Sequence, residues 1–286
     1  MSGWPLIPDW RSLLFVSADD PVRLAKAHSR GADALILDLE DAVPAVRKDA
    51  ARAALPGEIE RLHGLGQPLV VRVNTGWRAL AADLAAAIHP GVSAIMLPKV
   101  EDGWRVRAAA ELIGEWEAER GLEPGAIGII CLIESAAGLA AMPQLAASPR
   151  LIGLALGSED LALTLNVAPT ADFLDLPCRQ IAMAASQSGV MAIGLPLSIA
   201  EFRDMDAYAA AVARGRGYGA TAALCIHPAQ VETANRLFGP DEQELANARA
   251  IVAAWEAHGG AGVLQLDGKM IDLPVVLRAQ RLVARN

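Results

Sequence analysis

No stretch of this sequence approaches the roughly 20 consecutive apolar residues that a membrane-spanning helix needs. Its first residues, MSGWPLIPDWRS, lack the basic region followed by an apolar core that marks a secretory leader. Cysteine is scarce: Cys131, Cys178 and Cys225 are odd in number, far apart and form no CxxC pair. That excludes a disulfide framework and points to a reducing compartment. Positive charge is in the minority, with a net charge of −8 and a pI near 5.2. No basic stripe is present, so nucleic acid is excluded as a partner, and an anionic substrate must be drawn in by a local cation. Aromatic residues make up only 4% of a chain that is 53% hydrophobic. Alanine, leucine, valine and isoleucine therefore fill the core, as suits a large parallel sheet covered on both faces. Repeats, low-complexity tracts and Ser/Pro linkers are also missing. A soluble cytoplasmic protein is expected, with no membrane partner.

What the sequence does have is a regular alternation. Eight short apolar runs occur at 13–18, 34–40, 69–74, 94–99, 127–134, 151–157, 192–196 and 223–227. Longer helix-like segments separate them, such as DDPVRLAKAHSRG and WRVRAAAELIGEWEAERG. Asp20 before Pro21 reads as a helix N-cap and first helical position. Eight β-then-α units over residues 1–240 predict an α/β fold, a (β/α)8 TIM barrel. A doubly wound sheet is the alternative. Residues 241–286 continue as a polar-faced helix, a turn and another helix. This stretch cannot be a ninth unit and is expected to be a C-terminal helical extension packing on its own barrel or on a neighbouring subunit.

Polar residues gather where the runs end: Asp38, Glu40 and Asp41 in the second, Arg72 and Asn74 in the third, Lys99 in the fourth, Glu134 in the fifth, Glu159 and Asp160 after the sixth, and His227 in the eighth. Barrel active sites lie at the C-terminal face of the strands, so these residues are expected to converge on one mouth. Glu134 and Asp160 would stand at the ends of adjacent strands, about 4.8 Å apart. Two carboxylates there, with no Cys or His cluster, suit a hard cation, Mg²⁺ or Mn²⁺, rather than Zn²⁺. The alternative is that each acid caps the following helix. The small residues Ser135, Ala136, Ala137 and Gly138 leave room beside Glu134, and they equally permit a tight turn. Arg72, buried at a strand end, needs an acidic partner or an anionic ligand. Asp38 and Glu40 stand ready to orient it, with Lys99 alongside. His227 is either a substrate contact or a core histidine. Gly215, Gly217 and Gly219 read as turn chemistry, not a phosphate loop.

Eight segments follow in order: RSLLFV (11–16), DLEDAV (38–43), VRVN (71–74), LPK (97–99), IESAAG (133–138), GSED (157–160), IHPAQ (226–230) and GKMIDLP (268–274). In this the chain resembles the HpcH/HpaI aldolase and citrate lyase β-subunit family, which includes malyl-CoA and citramalyl-CoA lyases. The resemblance implies a Mg²⁺-dependent barrel that makes or breaks carbon–carbon bonds next to a carbonyl, usually of a CoA thioester. It also implies metal ligands Glu134 and Asp160, a catalytic Arg72 that binds the keto acid or steadies the enolate, and an acid/base Asp272 reaching a neighbouring subunit of a homotrimer or hexamer. Substrate contacts are then expected from Arg72, Glu134 and, on its place at the end of the eighth run, His227. Asp272 alternatively caps a helix ahead of Pro274. One departure is visible: Ser17-Ala18-Asp19-Asp20 stands where these lyases carry Pro-Gly near the CoA. The expected reaction splits a 3-hydroxyacyl thioester into a 2-keto acid and an acyl thioester. A CoA-independent class II pyruvate-type aldolase and a carrier-dependent subunit of a larger lyase complex are the other readings.

Overall fold

All eight apolar runs become parallel strands in the structure, a computed structural model that describes residues 7–284. They are β1 (Ser12–Ser17), β2 (Ala34–Asp38), β3 (Leu69–Arg72), β4 (Val92–Leu97), β5 (Gly128–Ile133), β6 (Leu151–Leu156), β7 (Met191–Ile193) and β8 (Ala223–Cys225). From β1 to β7 each strand pairs with the next in sequence, and β1 pairs with β8. The seam between β7 and β8 is joined by a parallel bridge from Ile193 to Ala222 and by the bond from Gly194 N to Ala222 O at 2.9 Å. The sheet therefore closes on itself, which sets aside the doubly wound alternative.

The absence of alternation within the runs has a simple cause. Leu13, Ile36, Val70, Met96, Ile130 and Leu132 belong to one buried cluster, the barrel interior. Leu14, Leu35, Leu37, Val71 and Ile95 belong to a larger cluster with the helices. Successive side chains still alternate between two faces, but both faces are dry. Each such leucine or isoleucine contributes roughly 1.5–3 kcal/mol by leaving water.

Among the described residues, nine α-helices flank the strands: α1 (Pro21–Ala27), α2 (Lys48–His63), α3 (Trp77–Ala87), α4 (Gly103–Glu119), α5 (Ala136–Ala146), α6 (Ser158–Thr164), α7 (Ala171–Ser188), α8 (Met205–Tyr218) and α9 (Pro228–Phe238). Asp20 caps α1 by accepting from Arg23 N, with Pro21 opening the helix. Gly215 and Gly217 lie in the last turns of α8, and Gly219 ends it at φ 102°, a left-handed cap that favours glycine. No helix among the described residues is long and apolar enough to cross a membrane. Cys131, Cys178 and Cys225 are free and buried, and burial pushes each thiol up to about 12.

The chain divides into two compact units, Met1–Phe238 and Gly239–Asn286. The second holds α10 (Glu242–Ala257), β9 (Leu264–Leu266), β10 (Lys269–Ile271) and α11 (Leu273–Ala284). Asp241 and Glu244 form a capping box on α10. The turn expected between the two helices is an antiparallel hairpin. Its turn residues Asp267 and Gly268 both have positive φ, 48° and 75°, the conformation a two-residue hairpin turn requires. Trp255, Ile271 and Val276 form its small core.

Candidate active site

The inward-pointing column of each strand continues past the core into the mouth. Two residues beyond Leu13, Ile36, Val70 and Leu132 stand Phe15, Asp38, Arg72 and Glu134. The strand period of two thus delivers an aromatic ring, an acid, a base and a second acid to one level. They line a cavity of about 380 Å³ together with Asp41, Gly157, Ser158, Glu159, Asp160, Ile199 and Ile226.

Arg72 is nearly buried, and its fork is bidentate to Asp38: Nε donates to Oδ1 at 2.7 Å and Nη2 to Oδ2 at 2.6 Å. Nη1 lies 3.0 Å from Glu40 Oε2, a contact too misaligned to be a hydrogen bond, since that oxygen has no hydrogen-bond partner. The Nη1 hydrogens are therefore the part of the fork left for a ligand. Phe15 lies under the guanidinium, 4.9 Å away. Burial lowers the Arg72 pKa, but Asp38 and Glu40 outweigh it and hold it above its ordinary value. Lys99 donates from Nζ to Glu40 Oε1 at 2.9 Å. The ion pair anticipated for Arg72 is present, and the arginine still faces the cavity.

Glu134 directly follows β5 and is 3% exposed. Its Oε2 accepts from the backbone N of Lys99 at 2.7 Å. Lys99 turns that amide inward by adopting φ 51°. Burial first, and the facing Asp160 carboxyl second among the raising influences, push Glu134 up to about 8. Among the described residues, no lysine, arginine or histidine side-chain nitrogen comes within 4.0 Å of a carboxylate oxygen of Glu134 or Asp160. Nor do three or more His, Cys, Asp or Glu side chains form a metal-holding group among them. The pair is a two-carboxylate site on the wall of the cavity.

Two expectations about this pair need correction. Asp160 does not end β6. Gly157 intervenes, and Asp160 sits in the first turn of α6, where the helix dipole favours an acid. Nor do Ser135 to Gly138 make room at Glu134. Ser135 caps α5 by accepting from Gly138 N at 3.1 Å, which removes the capping role proposed for Glu134. A Cβ on Gly138 would stand 2.7 Å from Val100 O, so these small residues serve the turn. Room beside Glu134 comes from Gly157, where a Cβ would stand 2.4 Å from Glu134 Cγ. Its φ of −92° suits any residue, so Gly157→Ala acts through the clash alone. It is expected to destabilise the fold by roughly 1–3 kcal/mol in urea unfolding, the usual cost of overpacking.

His227 is exposed, which excludes the core-histidine reading. It stacks on Phe202 with centroids 4.9 Å apart. It lines an adjoining pocket of about 540 Å³ with Arg23, Lys26, Arg30 and Ile226 rather than the carboxylate cavity. Asp272, in the second unit, accepts from Val275 N at 3.2 Å and so caps α11. Lys48 and Asp83 were invisible in sequence. Lys48 Nζ donates to the carbonyls of Leu39 and Glu40, and the fully buried Asp83 accepts from Asn74.

The model of the HpcH/HpaI aldolase/citrate lyase family matches residues 11–228. The chain is 32% identical to the citrate lyase subunit beta of Leuconostoc mesenteroides subsp. cremoris, over 96% of this chain and 92% of that one. It is 31% identical to the (3S)-malyl-CoA thioesterase of Cereibacter sphaeroides (strain ATCC 17025 / ATH 2.4.3), over 96% and 94%. Among solved structures, Mycobacterium tuberculosis CitE in complex with magnesium, acetoacetate and coenzyme A superposes with a TM-score of 0.76 at 31% identity, covering 96% of this chain and 97% of that one. The chain belongs to the HpcH/HpaI aldolase/citrate lyase family and is an enzyme of the citrate lyase β-subunit-like type.

Proposed function

We propose that the protein is a Mg²⁺-dependent carbon–carbon lyase that splits a 3-hydroxyacyl thioester of the malyl, citramalyl or citryl type into a 2-keto acid and an acyl thioester. The observation that carries this reading is the facing pair Glu134 and Asp160, with no cationic side chain of the described residues in an ion pair with either, beside Arg72 in one cavity. A carboxylate pushed up to about 8 by burial first, and by a second carboxylate after it, is a site short of positive charge. Oxygen donors in that number suit Mg²⁺, which keeps its other positions for water and substrate. Glu134 and Asp160 would hold the ion, and it would supply Lewis-acid polarisation of the keto oxygen. CitE from Mycobacterium tuberculosis, crystallised with magnesium, acetoacetate and coenzyme A, supports magnesium as the ion.

The bond that breaks joins the hydroxyl-bearing carbon to the carbon next to the thioester. The hydroxyl proton passes to a base, and its oxygen becomes the carbonyl of the keto acid. The electron pair of the broken bond passes into the thioester enolate, which is then protonated. Arg72 Nη1 stabilises that enolate oxygen, while Asp38 and Glu40 fix the plane of the fork. Asp272 moves the proton, supplied by a neighbouring copy in a homotrimer or hexamer.

Asp19 and Asp20 do not oppose a polyphosphate. Asp19 pairs with Arg47 at 2.9 Å. Asp20 caps α1 and lies 3.2 Å from Arg23. The adjoining pocket with Arg23, Lys26 and Arg30 offers cations to CoA phosphates, which favours a CoA thioester over a CoA-free substrate. The test is the purified protein with Mg²⁺ and either malyl-CoA or citramalyl-CoA, assayed for keto acid, acyl-CoA and free CoA. Keto acid with acyl-CoA supports the reading. Free CoA without keto acid identifies a thioester hydrolase. Cleavage of a CoA-free 4-hydroxy-2-keto acid identifies a pyruvate-type aldolase, and silence until a carrier-bound thioester is added identifies a subunit of a larger complex.

The shift of Glu134 also sets a pH dependence. Its folded pKa, about 8, lies above the ordinary 4.5. The stability it provides as a neutral acid is full below the unfolded value and is lost as pH rises through the folded one. Mg²⁺ removes that loss by binding the ionised form. Thermal unfolding should therefore show a rise in Tm on adding Mg²⁺ that is small near pH 5 and largest above pH 8. An increment independent of pH would detach Glu134 from the metal.

A further inference from the structure

We propose that Asp83 is a positioning residue for Arg72, acting through Asn74 and Lys48. This rests on the role given above to Arg72. Asp83 lies in the interior of α3 and is fully buried. Neither place suits an aspartate, which is a poor helix former and costly to bury as an ion. Its partners all lie outside its own helix. Oδ1 accepts from Arg52 Nε at 2.8 Å. Oδ2 accepts from the backbone N and the Nδ2 of Asn74, both at 2.7 Å.

Asn74 stands two residues beyond Arg72, and it passes the constraint on. Its Nδ2 donates to Leu39 O at 3.0 Å, and its Oδ1 accepts from Lys48 Nζ at 2.5 Å. Lys48 Nζ also donates to Leu39 O at 2.9 Å and Glu40 O at 2.8 Å. The backbone of Leu39 and Glu40 is thus held from two directions. On either side of it stand the carboxylates that grip the Arg72 guanidinium: Asp38 at 2.6 Å, Glu40 at 3.0 Å and Asp41 at 3.7 Å. The orientation of the fork is set by this loop, and the loop is set by Asp83. Replacing a buried ionic group of this kind by apolar residues is often neutral for stability. Its consequence here is registration: one position for Glu40, and so one direction for Nη1.

Asp83→Asn keeps the shape but removes the charge, and its amide cannot accept from both Asn74 N–H groups and Arg52 at once. In the Mg²⁺-loaded enzyme, kcat should fall about 10²-fold, the scale of an ångström-size misplacement. The KM for the thioester and the calorimetric Mg²⁺ affinity should stay at wild-type values, because Glu134 and Asp160 are outside the relay. Adding Asp83→Asn to Arg72→Lys should cost little beyond Arg72→Lys alone, since both act through one group. Asp49→Ala, which removes the exposed second partner of Arg52, should leave kcat unchanged. Lys48→Met, at a half-buried position, tests the same relay if Asp83→Asn fails to fold. The Nε resonance of Arg72 in protein with ¹⁵N-labelled arginine should shift in both variants. That signal separates the inference from the lyase reading, because it decides the matter even for a protein inactive on malyl-CoA and citramalyl-CoA. A folded Asp83→Asn or Lys48→Met protein with wild-type kcat and an unshifted Arg72 signal overturns the proposal.

Discussion

Glu134→Gln and Asp160→Asn should each remove the calorimetric Mg²⁺ signal and all lyase turnover while leaving a folded protein. Glutamine still accepts from Lys99 N, a bond of 2.7 Å in the native protein, so the loop at Lys99 stays in place. What is lost is charge. Hard divalent cations are held by the number and charge of their oxygen donors, and this site has only two carboxylates to offer. Removing Glu134 also removes an acid that burial and Asp160 hold at about 8. The metal-free Glu134→Gln protein should therefore be more stable than the metal-free wild type at high pH, by the linkage that makes an ionised buried acid destabilising. Gain of stability without metal and loss of metal binding together are a signature that a merely structural glutamate does not produce. Mg²⁺ binding unchanged in both variants would place the ion elsewhere.

The barrel was legible because parallel strands covered on both faces read as unbroken apolar runs, and all eight runs sit on a strand. The mouth was legible for a related reason. Where an inward column leaves the core it can carry a charge, so Asp38, Arg72 and Glu134 stand at the ends of apolar runs. Residues whose position depends on helix geometry were harder to place. The apolar run alone places Asp160 near a strand end, whereas the turn at Gly157 carries it into α6. Asp83 and Lys48 carry no sequence signal. One is an acid within an alanine-rich helix, and the other is one more lysine at the start of α2. Only the folded chain shows that Lys48 reaches the backbone of Leu39 and Glu40, and that Asp83 holds Asn74, which reaches Leu39 O. The hairpin at 264–271 did have a signal, Asp267-Gly268 between alternating apolar residues, which is a strong local indicator of a two-residue turn.

Mixing Asp272→Ala protein with Arg72→Ala protein should restore activity that neither has alone. Asp272 accepts from Val275 N at 3.2 Å through Oδ1, and that cap leaves Oδ2 for proton transfer. It lies in the unit Gly239–Asn286, whose core is small and whose Met270, Leu273 and Leu277 are exposed around it. Exposed apolar residues beside a needed carboxylate suit a surface that is buried against another copy. If the tail serves the mouth of a neighbour, each site takes Arg72 from one chain and Asp272 from the next. In an equal, freely exchanging mixture, about a quarter of the mouths then hold both intact residues, a consequence of closed cyclic assembly. Activity should recover to about that fraction, once mass spectrometry has shown that subunits exchange. A tail serving its own barrel leaves every mouth lacking one residue. Confirmed exchange with no recovered turnover would restrict Asp272 to its cap on α11.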